Sequence, residues 1–182
     1  MIFISAGHYP AAPGARYGRF IEHDEAIIWA ERIADKLGGN GTLVPTGYLR
    51  EKVDFINKRI MNGDVAVEIH FNAAKDSSGN NVGRGSETLY YPGSVKGKLL
   101  AEACQSALAA HYPPDRGVKE GWYRMDPERG PDFFLAKTAC PAVILEPEFV
   151  HRNELIHEFR NITCEAIALT LLNFKGGDSG IT

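Results

Sequence analysis

Hydrophobic and polar positions alternate between two periods along this chain. Residues 1–5, MIFIS, form a short apolar run with strand character, which stops at Ala6-Gly7-His8 and gives way to a Pro- and Gly-rich loop through Gly18. From residue 20 to 37, Ile21, Ala26, Trp29, Ile33 and Leu37 recur at helical spacing, and Gly38, Gly39 and Gly41 punctuate the end. A small strand is predicted at 42–45. A second helix is predicted at 49–61, closed by the turn Asn62-Gly63-Asp64. Residues 65–71, VAVEIHF, read as a strand, 73–84 as a polar loop, and 86–91 as a second β-branched and aromatic strand. A helix follows at 95–110, then a loop-rich stretch at 112–131. PAVIL at 141–145 is a continuous apolar run, the mark of a central strand covered on both faces. A last helix is predicted at 153–174.

Strands alternating with helices predict an α/β fold. The expected architecture is a single-domain, three-layer sandwich over residues 1–174, with a mixed, mostly parallel sheet flanked by helices. A polar, Gly-rich, mobile tail is expected at 175–182. No internal repeat or long linker breaks the pattern, and no second binding module fits after Phe174.

Composition narrows the class. A chain of 182 residues with 44% hydrophobic and 24% charged residues suits one globular domain that needs no staple to fold. A net charge of −3 gives no electrostatic footprint for nucleic acid or an anionic membrane. Cys104, Cys140 and Cys164 make neither a disulfide framework nor a CxxC motif and read as small core residues. The N-terminus lacks the basic region of a secretory signal, and no window approaches the roughly 18 apolar residues of a membrane helix. The expectation is therefore a protein made in the cytoplasm, with no membrane insertion.

The chemistry is expected at strand exits, where open α/β sheets gather functional groups. His8 follows the first strand, His70 lies near the end of VAVEIHF, Glu146 ends the PAVIL strand, and Glu22 opens the first helix. Two imidazoles and one carboxylate form a known catalytic zinc set that leaves a fourth position open. A further carboxylate beside such a site serves as proton shuttle. Glu25 is a rival to Glu22, since it could share its helix face. His111, His151 and His157 have no matching partners and read as surface or interface residues.

These residues also carry a family likeness. Ile4-Ser5-Ala6-Gly7-His8, Glu22 fourteen residues later, Arg59, Ile69-His70-Phe71-Asn72, the strand Gly85–Pro92, Arg116-Gly117-Val118-Lys119, and Pro141–Glu146 with Phe149 follow one another in order. In this the chain resembles the zinc-dependent N-acetylmuramoyl-L-alanine amidases of the amidase-3 type, cell-wall hydrolases with a phosphorylase/hydrolase-like fold. The resemblance implies one Zn²⁺ held by His8, Glu22 and His70. It implies Glu146 as general base and then general acid, and peptidoglycan as substrate. The bond cut would be the amide between the lactyl group of N-acetylmuramic acid and L-alanine. Asn72, Arg59 and Glu148 are candidate substrate contacts.

The chain departs from the family pattern at three places: Tyr9-Pro10 stands where two glycines are usual, Glu68 replaces a Ser, and Glu148 replaces a Gly and rivals Glu146. The resemblance further suggests a phage or prophage lysin that reaches the wall after holin-dependent release. No built-in inhibitory helix is expected in the loop around 121–131. Two other readings remain: a zinc peptidase cutting the stem peptide, and an inactive wall-binding module of the same fold.

Overall fold

The computed structural model describes residues 1–121 and 133–177. Its frame is a six-stranded sheet built from β1 (Ile2–Ala6), β4 (Gly41–Leu43), β5 (Val65–Ile69), β6 (Ser86–Tyr90), β7 (Asp115–Glu120) and β8 (Ala142–Glu146), in the order β4-β1-β5-β8-β6-β7. Every neighbouring pair is parallel except β6 with β8. The sheet is therefore mixed and mostly parallel, as the strand–helix alternation predicts. β1, β5 and β8 are buried along their whole length, which is why they are largely apolar, interrupted only by Ser5, Glu68 and Glu146 near their carboxyl ends.

Among the described residues, five α-helices cover the two faces: α1 (Glu22–Leu37), α2 (Leu49–Asn57), α3 (Val95–Ala109), α4 (Phe133–Lys137) and α5 (Asn153–Gly177). Residues alternate across a strand, so each face has its own core. Ile2, Ile4, Val67 and Val143 pack with Trp29 and Ile33 of α1, Leu100 of α3 and Ile167 of α5. Phe3, Ala66 and Ile144 pack on the other side with Val53 and Ile56 of α2 and Phe134 of α4.

The structure corrects several sequence-predicted bounds. The first helix begins at Glu22, because Phe20–Ile21 (β3) pairs with Arg16–Tyr17 (β2) across a turn in which Gly18 takes φ +57°. The second helix stops at Asn57 rather than near 61. Residues 115–120, expected in a loop, form the edge strand β7. An edge strand pairs on one side only and is half-exposed, so its sequence DRGVKE lacks the apolar signature. α4 is too short to show a helical period. α5 runs through Gly177, beyond the expected end at 174, and Lys175 Nζ there donates to Asp64 Oδ1 at 3.1 Å. The rest of the expected tail, and most of the loop around 121–131 with Trp122 and Tyr123, lie outside the described residues.

The topology locates a crevice. The connection leaving β1 runs outward through α1 to edge strand β4, and the chain leaving β5 runs the other way, to β6. Adjacent parallel strands whose connections diverge leave a cleft at their carboxyl ends. His8, His70 and Glu146 all sit at that edge of the sheet.

Candidate active site

The loop after β1 is shaped by two close approaches. Gly7 donates its N–H to the Ile69 carbonyl at 2.7 Å, and a β-carbon at Gly7 would lie 2.5 Å from His70 Nε2. Gly14, at φ +78°, leaves the space in which a β-carbon would run into Glu22 Oε2 and the His8 ring. His8 itself takes φ +60°, a left-handed conformation that costs a residue with a β-carbon about 1–2 kcal/mol. His23, buried behind it, has Nδ1 2.7 Å from the Gly7 carbonyl.

Glu22 is the first residue of α1, where the helix dipole favours a carboxylate. No side chain caps this helix; the loop supplies carbonyls instead, Ala15 O for Glu22 N–H and Pro13 O for His23 N–H, both at 3.0 Å. The Glu22 carboxylate accepts from Ala15 N–H at 2.8 Å and Phe71 N–H at 3.1 Å. It thereby ties the first loop to the end of β5. Its Oε2 lies 3.0 Å from His8 Nε2 and its Oε1 lies 3.1 Å from His70 Nδ1.

One ligand atom from each of His8, Glu22 and His70 falls within 4.8 Å of the others. Burial alone would raise the Glu22 carboxyl, but hydrogen bonds from His70 and His8 outweigh it and hold the group far below the carboxylate range. Burial likewise favours neutral His70, yet the carboxylates of Glu22 and Glu68 raise it well above the ordinary histidine value. A pocket of concentrated negative charge with two imidazoles is a cation site by chemistry. The Gly7 and Gly14 cradles, which any side chain would fill, fit the same reading.

The sequence-predicted residues divide on inspection. Glu146 is buried at the end of β8 and lines the same cavity of about 510 Å³ as the three ligand candidates. Asn72 lines it too, and its Nδ2 donates to Glu87 Oε1 at 2.9 Å. Glu25 turns away to Trp29 Nε1 at 3.1 Å and Arg160 Nη1 at 2.8 Å. Glu148 does not line the cavity. It is wholly buried, and it accepts from Gly85 N–H at 2.8 Å, Phe149 N–H at 2.9 Å and Arg152 Nε at 3.1 Å. Its carboxylate is occupied in tying Gly85, at the start of β6, to the turn that follows β8, so the structure does not bring it to the cavity with the other candidates.

The sequence profile of the Amidase_3 family, N-acetylmuramoyl-L-alanine amidase, matches residues 2–161. The chain belongs to this family. It is therefore an amide hydrolase of the peptidoglycan amidase class. Solved structures agree in fold. An N-acetylmuramoyl-L-alanine amidase from Clostridium difficile 630 aligns at 23% identity over 99% of this chain and 97% of its own, with a TM-score of 0.78. The amidase AmiC2 of Nostoc punctiforme aligns at 22% over 95% of each chain, with a TM-score of 0.77. The catalytic domain of the CD27L endolysin, targeting Clostridia difficile, aligns at 22% over 94% of this chain and 96% of its own, with a TM-score of 0.73. No curated protein sequence matches significantly.

In this amidase Arg59 is not brought to the cleft. It stands before the start of β5, whereas His70 follows the end of that strand, about 17 Å further on. Its guanidinium covers the Phe55 ring at 3.8 Å and its Nη1 donates to the Phe55 carbonyl at 3.0 Å, so it caps α2. His157 is exposed beside Glu25, while His111 and His151 pack half-buried against Phe159 and Phe149. Among the described residues, no helix is long and apolar enough to cross a membrane.

Two groups at the site were not singled out from sequence as contributors. Lys52 is buried and lines the amidase cavity from α2. Glu68 is buried beside it, accepts from Ser5 Oγ at 3.0 Å and lies 3.3 Å from His70 Nε2. Burial would raise the Glu68 carboxyl, and His70, Lys52 and Ser5 together lower it. The signal was present: a strand period of two puts Glu68 and His70 on one face.

Proposed function

We propose that this amidase hydrolyses the amide between the lactyl group of N-acetylmuramic acid and L-alanine, with one zinc ion held by His8, Glu22 and His70. The observation that carries the reading is the convergence of these three ligand atoms within 4.8 Å in a cavity that Glu146 also lines. Zinc bound there would supply Lewis-acid polarisation of the scissile carbonyl and make water acidic near neutral pH. Glu146 accepts the proton of the attacking water and delivers it to the departing L-alanine nitrogen. Asn72, held by Glu87, offers its amide to the substrate at the cavity wall.

The role we propose is that of a lysin acting on the cell wall after holin-dependent release. Its support is the fold shared with a solved endolysin catalytic domain. Zinc analysis combined with loss of turbidity of purified walls tests the whole reading. The expected result is one zinc per chain and lysis that stops on chelation and returns with zinc. Lysis indifferent to chelation would refute it.

A further inference from the structure

Lys52 spends all three ammonium protons inside the protein. They go to the carbonyl of Ala6, to the carbonyl of His8 at 2.7 Å and to Glu68 Oε1 at 3.3 Å. Glu68 turns its other oxygen to His70 Nε2 at 3.3 Å. A single buried ion pair thus reaches both imidazoles, one through its peptide and the other through its ring. Lys52 and Glu68 are each 2% exposed. Such a pair adds little net stability over apolar side chains of the same volume, so stability is a weak reason for its presence. Its two contacts supply a better one. His8 holds an unfavourable positive φ, and its carbonyl is the one Lys52 grips. His70 must choose which ring nitrogen carries a proton, and Glu68 accepts at one nitrogen only.

We propose that Lys52 and Glu68 are a positioning pair that orients both imidazoles for metal binding. Glu68 accepts the hydrogen bond of the His70 Nε2–H and leaves the Nδ1 lone pair facing Glu22. Lys52 pins the His8 peptide and holds Glu68 in place. In this role neither residue is one of the three proposed ligands. This inference rests on the metal reading above and is tested apart from catalysis.

Zinc affinity of the full chain is measured by competition with a chromophoric chelator for wild type, Glu68→Gln and Lys52→Met. The double variant Lys52→Met/Glu68→Gln is included because a single change leaves one buried charge without its partner and can cost the fold. Metal-free melting is followed alongside. The expected loss is about 10- to 100-fold in zinc affinity for the folded variants, with metal-free melting of the double variant close to wild type. Imidazole ¹⁵N shifts of zinc-loaded wild type should show His70 protonated at Nε2. A folded double variant that binds zinc as tightly as wild type, or a His70 protonated at Nδ1, overturns the positioning role alone. A wild type that takes up no zinc overturns it together with the metal reading.

Discussion

Glu87 and Glu146 stand directly opposite each other across the antiparallel pairing of β6 with β8. Cross-strand partners share a face with β-carbons about 5 Å apart, so two carboxylates there repel unless one is compensated. Glu87 is compensated, by Arg116 Nη2 at 3.1 Å and by Lys119 Nζ. The arrangement predicts that Arg116→Met/Lys119→Met, which leaves the Glu87 charge uncompensated, makes deprotonation of Glu146, the proposed general base, harder. A base must be deprotonated to act, so the acid limb of kcat/KM should move to higher pH. A pH–rate profile with an unmoved acid limb would contradict this.

The acid that ends β8 and the one two residues beyond it should behave differently. Glu146→Gln should keep its zinc and its fold and lose about 10²- to 10⁴-fold in turnover. Glu148→Gln should lose stability through its Gly85 and Arg152 contacts, by about 1–3 kcal/mol, while turnover of the folded fraction stays near wild type. Kinetics and denaturant melts of the two variants separate the roles. A Glu146→Gln enzyme with full activity would remove Glu146 from the mechanism.

Gly14 guards the ligand set from the loop side. In Gly14→Ala the new methyl meets Glu22 Oε2 and the His8 ring, and φ +78° is unfavourable for alanine. Zinc affinity should fall at least tenfold, whereas Gly18→Ala, at a position open to solvent, should bind zinc as wild type does. Equal zinc affinity in both variants would show that the loop yields freely.

Asp64 ties the start of β5 to α5. Burial would raise its carboxyl, but hydrogen bonds from the Met1 amino group, Met61 N–H and Lys175 Nζ lower it. A carboxyl depressed in the folded state stabilises above its unfolded value, near pH 4, and that stabilisation is lost as pH falls through the folded value. Asp64→Asn should therefore cost about 1–3 kcal/mol at pH 7 and much less at pH 3, read by urea melts at both. A cost unchanged with pH would mean that charge plays no part.

The central strands and the long helices were legible because burial on both faces, or on one helical stripe, writes a period into the sequence. The edge strand β7 and the five-residue α4 were not, since neither is long or buried enough to carry one. At the site, His8, Glu22, His70 and Glu146 could be proposed because each sits at a strand exit or a helix start. Lys52 was hidden because its role depends on α2 lying against the sheet, whereas the strand period already put Glu68 on one face with His70. Arg59 matches its motif position and Glu148 departs from one, but a motif does not say where a side chain turns: Arg59 lies over Phe55 of α2, and Glu148 faces Gly85 and Arg152.

The most direct test of the account is end-group analysis of whole peptidoglycan digested by the zinc-loaded chain. The digest should show one new amino terminus, that of L-alanine, together with glycan strands freed of their stem peptides. New amino termini within the stem peptide, with the lactyl–L-alanine amide intact, would contradict it.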